Sequence, residues 1–263
     1  MNAPADMRGT IVLDLDGVVY LDAHGVPGAG DALRSLQADG WHLVYATNNS
    51  TKTRADVVRH IEERTGFEAY PADAVTSAMA AAAHVRGAMS AAYVGSPSIG
   101  HELEAVGVEV VEPEASPEAV VVGLDRSITY GRIDRAARAI RSGARLVATN
   151  TDATYPTRTG PAPGAGTIVA AIATAAGADA VSCGKPHEPF AQLVRARLTD
   201  GPVLIVGDRP ETDIALGRRL GWGTVLVMSG VTETRADVPD DLAPDHVLGS
   251  IAELPALLAR DAG

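Results

Sequence analysis

Short β-branched runs alternate along the chain with stretches whose apolar residues recur every three or four positions. Thr10 to Leu13 reads as a buried strand, Ala29/Leu33/Leu36 as a helical stripe, Trp41 to Ala46 as a second strand and Val57/Val58/Ile61 as a second helix. The far end repeats the alternation. A strand from Ala180 to Cys183 precedes a helix through Phe190, Leu193 and Val194. Strand Val203 to Val206, helix Ile214 to Leu220, strand Thr224 to Val227 and helix Ile251/Leu254/Leu258 follow. Such βαβα order predicts an α/β fold with a mostly parallel sheet covered by helices on both faces.

Between these portions lies an Ala/Gly-rich middle with its own strands at Ala91 to Val94, Val108 to Val111, Ala119 to Val122 and Arg145 to Ala148. A helix with i, i+3, i+4, i+7 spacing runs through Ile133, Ala136, Ala137 and Ile140. This predicts a second α/β unit, residues 83–178, inserted into a first made of 1–82 and 179–263. The tripeptide Ala-Thr-Asn closes one strand in each portion, at 46–48 and 148–150.

Composition narrows the partners. A hydrophobic fraction of 46% over 263 residues fills real cores, and a formal charge of −11 without Lys/Arg clusters speaks against nucleic acid or acidic membrane as a partner. A single cysteine, Cys183, excludes an internal disulfide. The start MNAPADMRGT lacks the pattern of a signal peptide, and no apolar run approaches the ~20 residues that span a bilayer, so a cytoplasmic protein is expected.

The polar residues of interest stand where strands end. Thr10–Leu13 runs into Asp14-Leu15-Asp16-Gly17, Trp41–Ala46 into Thr47-Asn48-Asn49, Ala180–Cys183 into Gly184-Lys185-Pro186, and Val203–Val206 into Gly207-Asp208. In open α/β sheets, ligands bind beyond the carboxyl ends of the strands. Asp14 and Asp16, two apart on extended chain, project to the same side. Carboxylates held close repel unless a cation compensates, and oxygen donors of this kind favour Mg²⁺; Asp14 and Asp208 would supply carboxylates and Asp16 its backbone carbonyl. The seven histidines include no zinc-type pairing, and are read as solvated or helix-face residues. Gly28-Ala29-Gly30 and Gly164-Ala165-Gly166 do not complete a dinucleotide fingerprint; the second reads as a helix start packing one unit against the other.

Asp14-Leu15-Asp16-Gly17-Val18, Thr47-Asn48-Asn49, Gly184-Lys185-Pro186 and Gly207-Asp208-Arg209-Pro210-Glu211-Thr212-Asp213 together resemble the haloacid dehalogenase (HAD) superfamily of phosphatases. The Asp-Gly-Val-Val-Tyr form and the long insertion before Gly-Lys-Pro resemble its subfamily IIA, the NagD and 4-nitrophenyl phosphatase branch with an α/β cap. The resemblance implies a Rossmann-like core with an inserted cap, Mg²⁺, a small phosphorylated metabolite as substrate, and a homodimer through the cap. It implies Asp14 as nucleophile, Asp16 as general acid and then base, Thr47, Asn48 and Lys185 on the phosphoryl group, and Asp14, Asp16, Asp208 and Asp213 at the metal. The stretch from Thr149 to Pro156 resembles the family's specificity loop, with Asp152 and Tyr155 as its substrate contacts. Small polyol or sugar phosphates, phosphoglycolate and nucleoside monophosphates are the candidate esters. A superfamily mutase or a non-catalytic ligand-binding module is the alternative.

Overall fold

The computed structural model describes residues 7–21, 23–155, 157, 160–232 and 234–260. They form two compact units, one of described residues within 7–47, 54–75 and 191–260 and the other within 48–53 and 76–190. Each is built on its own sheet. In chain order the strands of the two sheets are β1 (Gly9–Leu13), β2 (Trp41–Thr47), β3 (Ala74–Thr76), β4 (Ser90–Val94), β5 (Glu109–Val110), β6 (Ala119–Val122), β7 (Arg145–Ala148), β8 (Val181–Ser182), β9 (Val203–Gly207), β10 (Gly223–Val227) and β11 (His246–Leu248).

The first unit carries a six-stranded sheet in the order β11-β10-β9-β1-β2-β3. The pairings from β11 through to β2 are parallel, with Leu13 level with Val206 on one side and Tyr45 on the other. Strand alternation feeds two helical layers. Ile11, Leu13, Leu204 and Val206 join the stripe of helix Ala29–Ala38 (Leu33, Leu36), that of Arg54–Thr65 (Val57, Ile61) and the C-terminal Leu254 and Leu258 in one apolar cluster. Ile205 points the other way and meets helix Ala215–Leu220 at Gly217, where an added Cβ would lie 2.5 Å from the isoleucine. The chain winds from β1 outward through β2 and β3, then returns to build β9, β10 and β11 on the opposite side of β1. The winding therefore reverses between β1 and β9, the position at which an open sheet leaves a crevice at its carboxyl edge.

The second unit has a five-stranded parallel sheet in the order β8-β7-β6-β4-β5. One face buries Ala92, Val94, Val120, Val122 and Leu146 against Ile140 of helix Tyr130–Arg141 and Ile168 and Ile172 of helix Ala165–Ala176. Thr129 caps the former through its hydroxyl, which accepts from the Arg132 amide at 3.3 Å.

One sequence expectation changes here. The strand before Gly184-Lys185 pairs with β7 of the five-stranded sheet, Val181 opposite Val147, and does not join the six-stranded one. The two compact units divide at 76 and 190. Helix Ala165–Ala176 buries its apolar face in the second unit's own cluster. Its glycines serve a local purpose: Cβ atoms at 164 and 166 would lie 2.2 and 2.3 Å from the carbonyl oxygens of Asp152 and Thr151. Among the described residues, no helix is long and apolar enough to cross a membrane.

Candidate active site

At the carboxyl edge of the six-stranded sheet, β1 delivers Asp14, β2 delivers Thr47 and β9 delivers Asp208, with β1 in the middle. Asp14 stays in strand register, its amide donating to the Val206 carbonyl at 2.9 Å. Leu15 turns into the apolar cluster and leaves Asp14 and Asp16 on the opposite side, as alternation requires. The chain then closes a tight turn in which the amides of Val18, Val19 and Tyr20 all reach the Leu15 carbonyl. Gly17, at φ 91°, permits it.

Asp14, Asp208 and Asp213 form a buried group, each offering a carboxylate oxygen within 4.8 Å of the others. Asp213 arrives by a different route from the expected helix start: Pro210–Ile214 is a π-helical turn preceding the α-helix. Its carboxylate folds over Gly207, where a Cβ would lie 2.2 Å from its Cγ and 2.4 Å from Oδ2, and accepts from the Arg209 amide and the Thr212 hydroxyl, each at 3.3 Å. The side chain of Asp16 is half-buried and stands outside this trio. The hydroxyl of nearby Tyr20 is held well above its ordinary pKa by burial first and then by the charges of Asp16 and Asp14, so it stays protonated.

Carboxylates gathered this closely repel one another, and a cation between them would offset that charge. The donors are all hard oxygens, and the described residues bring no histidine or cysteine into the group. That set fits Mg²⁺.

Asp208 is further braced by a segment without side-chain signature in the sequence. The Val231 amide donates to its Oδ2 at 2.7 Å, and the Thr232 hydroxyl donates to its backbone carbonyl at 2.6 Å. Ser229 Oγ donates to the Gly17 carbonyl at 2.7 Å, tying this segment to the turn after β1. Glycines at 17 and 230 make room, since a Cβ at either would come within 2.3 and 2.0 Å of Asp208 Oδ2.

Asn48, Lys185 and Asp152 come together in the second unit. The Asn48 side-chain amide donates to both Asp152 oxygens at 3.2 Å and to the Lys185 carbonyl at 3.3 Å, while its oxygen accepts the Lys185 amide at 2.7 Å. The Asn48 side chain is thus engaged by protein. Lys185 is buried, at 4% exposure. Asn49 braces the loop, its Oδ1 accepting from the amide and hydroxyl of Thr51. Tyr155 lies in a small hairpin, Thr154–Tyr155 with Ala162–Pro163, and carries the guanidinium of Arg126 5.0 Å from its ring centre. Arg126 has no motif around it that would mark it in the sequence. Pro156, the end of the expected specificity loop, lies outside the described residues.

A profile of haloacid dehalogenase-like hydrolases matches residues 11–109, and a second, HAD-hydrolase-like profile matches 182–254. Glycerol-3-phosphate phosphatase of Gallus gallus is 35% identical, over 94% of this chain and 91% of its own. The p-nitrophenyl phosphatase from Archaeoglobus fulgidus superposes with a TM-score of 0.85 at 28% identity, covering 96% of this chain and 100% of that one. The glycerol phosphate phosphatase from Mycobacterium tuberculosis in complex with magnesium superposes at 0.84 with 33% identity, covering 93% and 76%. The chain belongs to the haloacid dehalogenase-like hydrolases. Within them it stands among phosphatases, the class to which these three relatives belong.

Proposed function

We propose that the protein hydrolyses small phosphomonoesters through an aspartyl phosphate on Asp14, with polyol and sugar phosphates preferred over nucleotides. The observation that carries this reading is the buried trio Asp14, Asp208 and Asp213 at the winding reversal of the sheet. In the first step an Asp14 oxygen bonds to phosphorus as the ester P–O bond breaks, and Asp16 gives its proton to the leaving alkoxide. In the second, Asp16 takes a proton from water, which displaces Asp14 and releases inorganic phosphate. The Thr47 hydroxyl, the Asn48 backbone and the Lys185 ammonium would hold the phosphoryl oxygens and offset their charge. Asp14, Asp208 and Asp213 would hold Mg²⁺, which when bound offsets the charge gathered between carboxylate and phosphate.

The five-stranded unit would serve as the specificity cap. The substrate preference follows from Arg126 and Tyr155. A guanidinium already stacked on the tyrosine occupies a face that a nucleobase would need, and its N–H groups suit hydroxyl or carboxylate oxygens of a small leaving group. Phosphate release should be measured on glycerol 3-phosphate, a hexose phosphate, phosphoglycolate and a nucleoside monophosphate in Mg²⁺. The three small esters are expected to exceed the nucleotide in kcat/KM by about 10-fold, the worth of one good polar contact. A nucleotide at the head of the ranking would overturn the preference. No turnover of any ester by folded protein would favour a mutase or binding module.

A further inference from the structure

Asp152 stands in the stretch expected to touch substrate, yet its carboxylate is turned to the protein. Both of its oxygens accept from Asn48 Nδ2 at 3.2 Å, and the Asn48 amide in turn grips Lys185 from both sides of its backbone. Residue 48 is also held at its own carbonyl, which accepts from Ser77 Oγ at 2.6 Å and Asn150 Nδ2 at 2.7 Å. Asn150 Oδ1 closes the ring by accepting the Asp152 amide at 3.1 Å. Three loops from distant parts of the sequence, at 48, 150–152 and 184–185, thus meet at one side-chain amide.

We infer that Asp152 is a positioning residue: it fixes the rotamer of Asn48, and through it the backbone at Thr47-Asn48 and the Lys185 loop, without contacting the leaving group. Chemistry favours this role. A carboxylate aimed at a dianionic substrate would repel it, whereas one bonded to an amide donor orients that donor and prevents the Asn48 amide from flipping. Flipped, Asn48 would set an N–H against the Lys185 amide and an oxygen against the Lys185 carbonyl, losing both bonds. Gly184 marks how tightly the junction is packed, since a Cβ there would lie 2.7 Å from Asn48 Oδ1 and 2.8 Å from the Thr149 carbonyl.

The kinetic part of the test rests on the phosphatase reading; the second part does not. Asp152→Ala is expected to lower kcat by about 10- to 100-fold, the scale for misplacing a group by ~1 Å, with KM little changed. The factor should be the same for glycerol 3-phosphate and a hexose phosphate. Asp152→Asn, which retains an acceptor, should recover most of the loss. In an Asn48→Ala background, Asp152→Ala should cost nothing further, because the two act as one unit. Amide exchange followed by NMR then reads the clamp directly: Lys185 N–H should exchange at least about 10-fold faster in both Asp152→Ala and Asn48→Ala while the strands keep their protection. A KM effect that changes with the leaving group, additive losses, or unchanged Lys185 exchange in Asp152→Ala would each overturn the inference. An inert wild type would sink the phosphatase reading and leave the exchange result to decide the clamp.

Discussion

Replacing Gly17 by alanine should disable metal binding through Asp208 without altering any carboxylate. The new Cβ would sit 2.3 Å from Asp208 Oδ2 and 2.7 Å from its Cγ, about 1 Å inside ordinary contact distance. Asp208 cannot simply swing away, because Oδ2 accepts the Val231 amide at 2.7 Å, and Gly230 crowds the same side. The backbone at residue 17 also has φ 91°, which costs a residue with a Cβ about 1–2 kcal/mol. Overpacking adds about 1–3 kcal/mol, for a total of about 2–5 kcal/mol. If about 2 kcal/mol of that falls on the metal-loaded form, Mg²⁺ binds about 30-fold more weakly. The assay is the Mg²⁺-dependent rise of the unfolding free energy. At a concentration 100 times the wild-type Kd the wild type gains about 2.7 kcal/mol and Gly17→Ala about 0.9 kcal/mol. An equal gain in both proteins would refute the argument that the glycine pair exists to seat Asp208.

Three further outcomes are expected. Leu33→Ala, at a fully buried position between helix Ala29–Ala38 and the six-stranded sheet, should lower stability by about 3 kcal/mol in urea unfolding, and a loss below about 1 kcal/mol would contradict the packing described. Asp245 accepts from the Thr224 hydroxyl and amide, both at 2.8 Å, and these bonds hold its carboxyl below the usual range. Its contribution is therefore full above the ordinary carboxylate pKa of ~4 and is lost as pH falls through its own lower value; Asp245→Asn should flatten the acid limb of the stability profile there, and parallel profiles would refute it. Burial pushes the Cys183 thiol up to about 12, so a disulfide reagent should label it only after unfolding, and stoichiometric labelling of the native protein would contradict its enclosure.

Much of the site was legible because its side chains follow strands whose apolar runs are unmistakable. Asp14, Thr47 and Asp208 stand at the ends of β1, β2 and β9, and a parallel sheet necessarily lines up such ends along one edge. What the sequence concealed is carried by backbone. Strand β8 is two residues long with Val181 exposed, and its assignment to the five-stranded sheet depends on ladder hydrogen bonds that no residue pattern encodes. The short strands β3 and β11 carry no marking pattern for the same reason. The Val231 amide that steadies Asp208 and the glycines that admit it have no distinguishing side chain. Asn48 shows a further limit: its side-chain amide is engaged by partners 104 and 137 residues away in sequence, which no local pattern announces.

The most direct test of the account is Mg²⁺-dependent release of inorganic phosphate from glycerol 3-phosphate by the wild type and by Asp14→Asn, which removes the nucleophilic charge while nearly preserving shape. The account predicts turnover by the wild type that disappears on chelation of Mg²⁺ and falls by at least about 10³-fold in the variant, the scale for losing a covalent nucleophile. Undiminished turnover by folded Asp14→Asn would contradict it.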